Sequence, residues 1–383
     1  MRPRWRRGRR LGAVVAVLAS GLLTAVPVAG VDPAAAATAA GCQAWTGAQP
    51  PSPGTGGTVL AGVAVVSPCN AWAVGFAGGT AQALIEHWDG SSWTVVPSPD
   101  PGSTLNILNG VRAVSAGNLW AVGQFRNGDG IDHVLIVHWN GTSWKRVDSP
   151  DPGTSGVLNA VRAVSARNVW AVGSYSAGNG RRTLIMHWNG SAWRQVPSPD
   201  PAHDNVLTGL AIASATNAWA VGFTGLVDKT LILHWNGRRW ARVSSPNPGT
   251  SNYLTAIGAT SAGNAWAVGA TDNGRVSIAL ILHWDGKRWA TSTAPPLGAA
   301  LLAGVAVTSA DNAWAVGSLL NGTNHAALVL RWDGRSWTRV RAPSPGVSAD
   351  YFAVAATSAT NAWAVGGYST GSGPGLTLAA HCC

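Results

Sequence analysis

Charged residues are scarce in this sequence, and glutamate is almost missing. Asp, Glu, Lys and Arg together make up 11% of the 383 residues, and Glu86 is the single glutamate. A glycosidase needs two carboxylates that flank the scissile bond. The recurring aspartates lie instead in turn-like segments, where turn formation explains them. The composition therefore argues against a glycosidase site built from the recurring residues.

Several catalytic and binding motifs are also missing. The chain has no Gly-x-Ser-x-Gly elbow, no phosphate-binding glycine-rich loop, no sialidase-like arginine triad and no Cys-x-x-Cys pair. We therefore expect neither a cofactor nor a metal centre. No stretch keeps a helical period. Apolar residues are nevertheless abundant at 46%, which is enough for a large core and is not typical of a disordered chain.

The first residues have the pattern of a secretory signal peptide, which we place at residues 1–39. Residues 2–10 carry six Arg, the apolar run 11–29 follows, and small residues at 33–40 offer Ala-x-Ala cleavage sites. This is the order of a secretory signal. An uncleaved anchor is the alternative, because nineteen residues can just span a bilayer. The pattern predicts a secreted or cell-surface protein with no membrane contact beyond export.

The formal net charge of +10 falls when this segment is removed. Six Arg and Asp32 leave with it, so 20 basic and 15 acidic residues remain, a net charge of +5. Because the remaining cations are scattered along the sequence, we expect no nucleic-acid binding. The four Cys of an exported chain are more typical of disulfides than of metal ligands.

A unit of 47 to 50 residues recurs seven times. Such a period is typical of a propeller or a solenoid. The clearest part of the unit is the stretch Trp-Ala-Val-Gly, whose tryptophans are Trp72, Trp120, Trp170, Trp219, Trp266, Trp314 and Trp363.

Each unit contains four strand-like stretches. In the third unit they cover residues 158–164, 169–173, 183–188 and 192–196, rich in Val, Leu, Ile and Trp and bounded by turn residues. Asn-Gly or Asp-Gly after the third stretch predicts a two-residue type I′ hairpin, and a proline-rich segment ends the fourth stretch. Four antiparallel strands in each of seven units predict an all-β, seven-bladed propeller over residues 40–383.

Tryptophan and histidine occupy fixed places in the repeat. Twenty of the 21 Trp fall in three repeat positions, so we predict that they form the core. Six of the nine His share one position before the third-strand Trp. Spread around a ring, they would not converge on one ion, so we predict structural hydrogen bonds for them. These residues are His87, His138, His187, His234, His283 and His381.

The repeat resembles those of the BNR and kelch classes of propeller, and most of all the secreted Trp-rich propellers of bacteria. Trp-Ala-Val-Gly and Trp-Asp/Asn-Gly-x-x-Trp carry this resemblance over residues 42–383. The second motif is similar to the Asp-box of sialidase-type propellers, but no residue separates Asp333 from Gly334, and His or Arg replaces the leading Ser. The resemblance implies the fold and leaves the activity open, since this architecture hosts many activities.

The loop between the second and third strands differs in every unit. Loops held on a rigid scaffold commonly carry recognition, and drift of solvent-exposed loops is the alternative explanation. These loops share one face of a propeller with the connections between units. The polar residues there are Arg126, Asp129, Asp132, Arg181, Arg182, Asp228, Lys229, Asp272, Arg275 and His325.

Three further residues are candidates for an active centre. Asp204, Asp350 and Tyr351 lie just before first strands, near the expected central opening. The sequence as a whole favours an exported, non-enzymatic, monomeric propeller that binds an extracellular glycan or protein through its variable-loop face. A carbohydrate-active enzyme of sialidase-like or lyase type, with its site at the central opening, is the alternative. A purely structural cell-surface module is a third possibility.

The two ends of the chain predict how the ring closes. The seventh unit stops after its third strand, at Cys382 and Cys383, whereas Trp45 precedes Trp72 by 27 residues and occupies the place of a fourth-strand Trp. We therefore predict that the N-terminal strand completes the last blade. We also predict a disulfide that joins Cys42 to Cys382 in preference to Cys383, because a two-residue offset across a turn suits the Cα separation of a disulfide. A second bridge to Cys69 is left open.

Overall fold

The computed structural model describes residues 45–152 and 155–382, and its regular structure is entirely β. The first half of the strands, in chain order, are β1 Trp45–Gly47, β2 Thr58–Ser67, β3 Asn70–Ala77, β4 Gln82–Trp88, β5 Trp93–Val95, β6 Leu105–Ser115, β7 Asn118–Arg126, β8 Asp132–Trp139, β9 Trp144–Arg146, β10 Gly156–Ser165, β11 Asn168–Ala177, β12 Gly180–Trp188, β13 Trp193–Gln195 and β14 Asn205–Ser214. The second half are β15 Asn217–Thr224, β16 Lys229–Trp235, β17 Trp240–Val243, β18 Ser251–Ser261, β19 Asn264–Asp272, β20 Ser277–Trp284, β21 Trp289–Thr291, β22 Ala300–Ser309, β23 Asn312–Asn321, β24 Asn324–Trp332, β25 Trp337–Val340, β26 Ser348–Ser358, β27 Asn361–Ser369 and β28 Leu376–Cys382.

These strands form seven four-stranded antiparallel sheets, which are the blades of a propeller. Blades 1 to 6 each take four consecutive strands, starting with β2–β5 and ending with β22–β25. Blade 7 has the order β26, β27, β28 and β1, so the N-terminal strand supplies its outer edge. The predicted fold and the predicted ring closure are both confirmed. The described residues include no helix long and apolar enough to cross a membrane.

The glycine of each Trp-Ala-Val-Gly stretch is required by a bulge in the neighbouring first strand. In blade 4 the pairing of β14 with β15 slips between Leu207 and Gly209, which leaves Thr208 as the extra residue. The bulge presses the first strand against Gly222, and a Cβ there would collide with the Val206 carbonyl oxygen. The same collision is found in all seven blades. The motif therefore ends in glycine for steric reasons.

Tryptophan joins each blade to the next. Trp219 of blade 4 is 1% exposed and packs against Trp284 and Trp289 of blade 5, at ring-centroid distances of 4.9 and 5.3 Å. It also packs against the small Ala265 and Ala267 of that blade. Equivalent contacts recur around the ring, so large side chains of one blade meet small ones of the next. Second-strand tryptophans are at most 4% exposed and fourth-strand ones at most 6%.

The third-strand tryptophans differ from the prediction, because they are only half-buried. Each indole covers the blade interface while its edge reaches solvent, and in blades 4, 5 and 6 its N–H donates to a carbonyl of the turn between the first two strands. Trp235 Nε1 lies 3.2 Å from the Ala215 oxygen, and Trp284 Nε1 lies 2.9 Å from the Ala262 oxygen. These residues are anchors at the edge of the core.

The predicted type I′ hairpin is wrong in its turn type. Trp188 and Trp193 are direct cross-strand partners, so four residues form the loop. Asn189 Oδ1 accepts hydrogen bonds from the backbone N–H groups of Ser191 and Ala192, both at 3.0 Å. Only Gly190 takes a positive φ, of 100°. The Asn or Asp is retained because its side chain caps the turn.

Five of the six recurring histidines make the predicted structural hydrogen bond, whereas Nε2 of His234 is buried without a hydrogen-bond partner in the described part of the chain. In five blades Nε2 of this histidine lies 2.9 to 3.2 Å from Oδ1 of the asparagine that begins the second strand. The imidazole also packs on the second-strand indole, with Trp266 and His283 centroids 4.1 Å apart. In blade 6 the guanidinium of Arg331 takes this place, 5.3 Å from the ring centre of Trp314.

Cys382 lies opposite Trp45 in the closing pair of strands, as Trp88 lies opposite Trp93 in blade 1. Its side chain is fully buried. Cys42 and Cys383 lie outside the described residues, as does the predicted signal peptide at 1–39, so the closing disulfide stays a prediction. Cys69 carries a free, exposed thiol and is not part of a second bridge.

Candidate functional site

A narrow channel runs along the axis of the ring. All seven first strands line it, and its cavity volume is about 110 Å³. The strands approach so closely that a Cβ on Gly209 would lie 2.9 Å from Cα of Ala256 in the next blade. Pockets for organic ligands commonly have volumes of about 300–1,000 Å³. The channel has room for a few water molecules or one small ion, but not for a sugar ring.

Side chains at the bulges tie neighbouring blades together along this channel. Asn109 Nδ2 donates to the Leu158 oxygen at 2.9 Å, and Asn159 Nδ2 to the Leu207 oxygen at 2.7 Å. Thr208 and Thr255 donate in the same way across the next two interfaces. The equivalent residues of the other three blades are Ala303, Phe352 and Ala61. The polar residues of the channel are therefore largely used in holding the ring.

The three central-opening candidates do not meet at the channel. None of them lines it. Asp204 begins blade 4 and binds Arg181 of blade 3, with Nε to Oδ1 at 2.9 Å. Asp350, in blade 7, lies 2.9 Å from Nδ1 of His325. Tyr351 is fully buried and donates to the Pro343 oxygen at 2.8 Å, and burial raises the pKa of its hydroxyl. Each of the three has a local structural partner.

Several polar residues of the variable-loop face are likewise engaged in ion pairs. Nη2 of Arg126 lies 2.6 Å from Oδ1 of Asp132 within blade 2, and Arg182 lies 3.6 Å from Asp200. Burial raises the pKa of Asp204, but the hydrogen bonds and charge of Arg181 outweigh it, so this pKa is lower than usual. Two of the predicted recognition residues, Arg181 and His325, thus also join adjacent blades at this face.

One histidine on this face lies between two aspartates. His133 Nδ1 lies 2.6 Å from Asp151, and its Nε2 lies 3.5 Å from Asp129. The hydrogen bond to Asp151 raises the pKa of His133. The ring stacks on Phe125, and the guanidinium of Arg146 lies 4.6 Å from the centre of that phenyl ring. These residues connect blades 2 and 3 at the variable-loop face.

Blades 4 and 5 carry three of the exposed large apolar side chains of this face. Leu226 is 79% exposed, Val227 59% and Val276 44%. Tyr253 lies near Asp228 and Asp272, and burial together with these two carboxylates raises its pKa to about 12. We call this surface the blade 4–5 tip; it consists of Leu226, Val227, Asp228, Lys229, Tyr253, Asp272, Arg275 and Val276.

The sequence prediction for this face names polar residues only, so it does not include the apolar members of the blade 4–5 tip. Four of the six exposed large hydrophobic residues in the described part of the chain lie on the variable-loop face: Leu226, Val227, Val276 and Val347. The sequence feature that indicates them is the apolar pair Leu226-Val227, which follows Gly225 in this loop. Lys229 Nζ reaches the Thr250 oxygen at 3.4 Å, and Arg275 is exposed.

A wider cleft of about 490 Å³ lies at the seam where the ring closes. Trp88 and Trp93 of blade 1 form one wall, and Gln49, Pro50 and Pro51 form part of the other. None of the described residues that line it has an ionisable side chain.

Comparisons with known proteins agree with the architecture. No protein-family model matches the chain, and no curated protein matches it in sequence. Among solved structures, YCF48 bound to D1 peptide has a TM-score of 0.57 at 16% identity, with 88% of this chain and 97% of that chain covered.

Two carbohydrate-active enzymes have similar structures. The GH74 xyloglucanase of Xanthomonas campestris has a TM-score of 0.52 at 15% identity, covering 87% of this chain and 55% of its own. A PL25 ulvan lyase bound to an oligosaccharide has a TM-score of 0.54 at 9% identity, covering 88% and 94%. Identities this low show the fold alone.

Proposed function

We propose that this chain is an exported, monomeric, non-enzymatic propeller of the BNR and kelch type that binds an extracellular protein or surface glycan through its variable-loop face. The observation that carries the proposal is the concentration of exposed apolar side chains there. Leu226, Val227 and Val276 lie beside the charged Asp228 and Arg275 on two adjacent blades. Exposed apolar groups with a polar surround are typical of interaction sites.

The exposed leucine and valine favour a protein over a glycan as the partner. Burial of apolar area contributes about 25 cal/mol per Å². These side chains would therefore contribute most to the binding free energy when they pack against an apolar partner surface. One structural neighbour is YCF48 bound to D1 peptide, which is consistent with this choice. The charged residues of the tip would fix the orientation of the partner and set its on-rate.

The enzyme alternative receives less support from the geometry. A glycoside hydrolase of the common type needs two carboxyl groups about 5–10 Å apart around a sugar, and the channel has only about 110 Å³. Asp204 and Asp350 belong to different blades and pair with Arg181 and His325. The carbohydrate-active neighbours remain a reason to include glycans among the ligands tested.

The proposal is tested by binding the secreted protein to a glycan array and to an array of extracellular peptides. A tip variant, Leu226→Ser with Val227→Ser and Arg275→Ala, is compared with a control on the opposite face, Arg238→Ala with Arg239→Ala. We expect at least tenfold weaker binding by the tip variant and unchanged binding by the control, with equal melting temperatures. Loss of binding in the control alone, or no ligand on either array, would refute the proposal.

A further inference from the structure

Two arginines break the pattern of small residues around the channel. The first strands carry Arg112 in blade 2 and Arg162 in blade 3, at the position paired with the second-strand Trp. The other five blades have only alanine or glycine there: Ala64, Ala211, Gly258, Ala306 and Ala355. Two adjacent strands therefore carry cations at a position that is alanine or glycine in every other blade.

The two strands that carry these arginines are in contact. Two residues earlier, a Cβ on Gly110 would lie 3.1 Å from the Asn159 oxygen and 3.3 Å from Cα of Ala160, so the two strands are in contact. Arg162 lines the channel, and its Nη1 donates to the Val161 oxygen at 2.8 Å. Arg112 is exposed and takes the equivalent place on the neighbouring strand, three residues before that strand ends at a mouth of the channel. Because first strands end at the turns that face the hairpins, this mouth opens on the hairpin face, opposite the variable loops.

No carboxylate balances this pair of charges. In the described part of the chain, every ion pair involves other residues. Burial in the channel wall, and then the charge of Arg112, lower the pKa of Arg162 to about 10, so both groups remain protonated at neutral pH. Two like charges at a low-dielectric wall repel each other, and the channel focuses their field.

We propose that the hairpin-side mouth of the channel binds a phosphate or sulfate group between Arg112 and Arg162. Two planar guanidinium groups offer parallel N–H donors that match an oxyanion. A cavity of about 110 Å³ has room for one tetrahedral oxyanion and excludes a sugar or a nucleoside. The group could be a free anion or part of a polymer chain whose remainder lies outside the channel. This site is on the face opposite to the partner surface proposed above and is independent of it.

The test uses inorganic phosphate as probe, at low ionic strength and pH 7.5, with chloride of equal ionic strength as reference. Phosphate binding to the folded state alone should raise the melting temperature of the wild type by about 2–4 °C at ten times the dissociation constant. Arg112→Gln with Arg162→Gln should abolish this rise. This variant should melt no lower than the wild type without phosphate, because the like-charge repulsion is gone.

The matched control is Arg238→Gln with Arg239→Gln, an exposed arginine pair on a hairpin of the same face, which should respond as the wild type does. Polyphosphate is titrated in parallel. If the protein binds polyphosphate more tightly than free phosphate, a polymer is identified as the source of the group. Either result supports the site if Arg112→Gln with Arg162→Gln removes it. A response that survives in this variant, or one that chloride reproduces, would overturn the proposal.

Discussion

Glu86 differs from every other residue in its repeat position. The equivalent third-strand residues are Val137, Met186, Leu233, Leu282, Leu330 and Ala380. Glu86 is fully buried, and neither carboxylate oxygen has a hydrogen-bond partner in the described part of the chain. Burial raises its pKa from 4.5 to about 8. At neutral pH the residue is therefore a protonated acid in an apolar interface.

This burial should make stability depend on pH in a defined direction. The folded state keeps a proton that the unfolded chain releases above pH 4.5, so the unfolding free energy falls as the pH rises from about 4.5 to about 8. We expect Glu86→Leu to remove this fall and to gain roughly 3–5 kcal/mol at pH 8, with little change near pH 4.5.

Urea unfolding across pH 4.5–9 checks this prediction. The difference between wild type and variant is used because the recurring histidines contribute separately. Burial lowers the pKa of His138, His187 and His283, so their contribution to stability is lost as the pH falls below 6.5 instead. Parallel curves for wild type and Glu86→Leu would contradict the account of this residue.

At the scale of the element, each blade depends on one indole inserted into the next blade. Trp219 touches two rings and two alanines of blade 5, and its Nε1 has no hydrogen-bond partner in the described part of the chain. We expect Trp219→Ala to cost about 3–5 kcal/mol. Trp219→Phe should cost clearly less, because it keeps an aromatic ring and loses no hydrogen bond. If chemical unfolding gave equal losses of stability for Trp219→Ala and Trp219→Phe, the interlocking rings would not be what stabilises the interface.

The bulge in the first strand leads to a second prediction for a single blade. Gly222→Ala places a methyl group against the Val206 carbonyl and should cost about 3 kcal/mol or more, since the first strand must move to accommodate it. Gly128→Ala is the control, because a Cβ there meets no atom within 4 Å; its melting temperature should stay within about 1 °C of the wild type. Similar losses in both variants would point to backbone entropy instead of the bulge.

Features that are set by residues close in sequence could be predicted from the sequence, whereas features that are set by contacts between strands or blades could not. Strand positions, hairpins and the core role of Trp170 and Trp193 follow from residues close in sequence, and they could be read from the repeat. The bulge opposite Gly173 and the asparagine partner of His187 depend on cross-strand register, which a period does not supply. The partners of Asp204 and Asp350 lie in neighbouring blades, so a repeat period does not predict their pairing with Arg181 and His325.

At the scale of the whole molecule, the ring is closed by three strands from one end of the chain and one from the other. Thr377 joins them further, since its Oγ1 donates to the Pro50 oxygen at 3.1 Å. We predict that the closing disulfide is Cys42–Cys382, and that non-reducing peptide mapping recovers these two peptides joined. Recovery of Cys42 free, or joined only to Cys69, would refute it. Under reducing conditions we expect a melting temperature lower by several degrees, because the closed loop no longer restricts the unfolded chain.

The central claim is that a partner binds the variable-loop face, and the position of a bound ligand tests it most directly. Hydrogen–deuterium exchange is measured with and without the tightest ligand from the arrays. We predict slower exchange at residues 224–229, 251–254 and 270–277, which form and surround the blade 4–5 tip, and no change at the hairpins near Asn189 and Asn236. Protection confined to the hairpins, with the tip exchanging as in the free protein, would contradict the account.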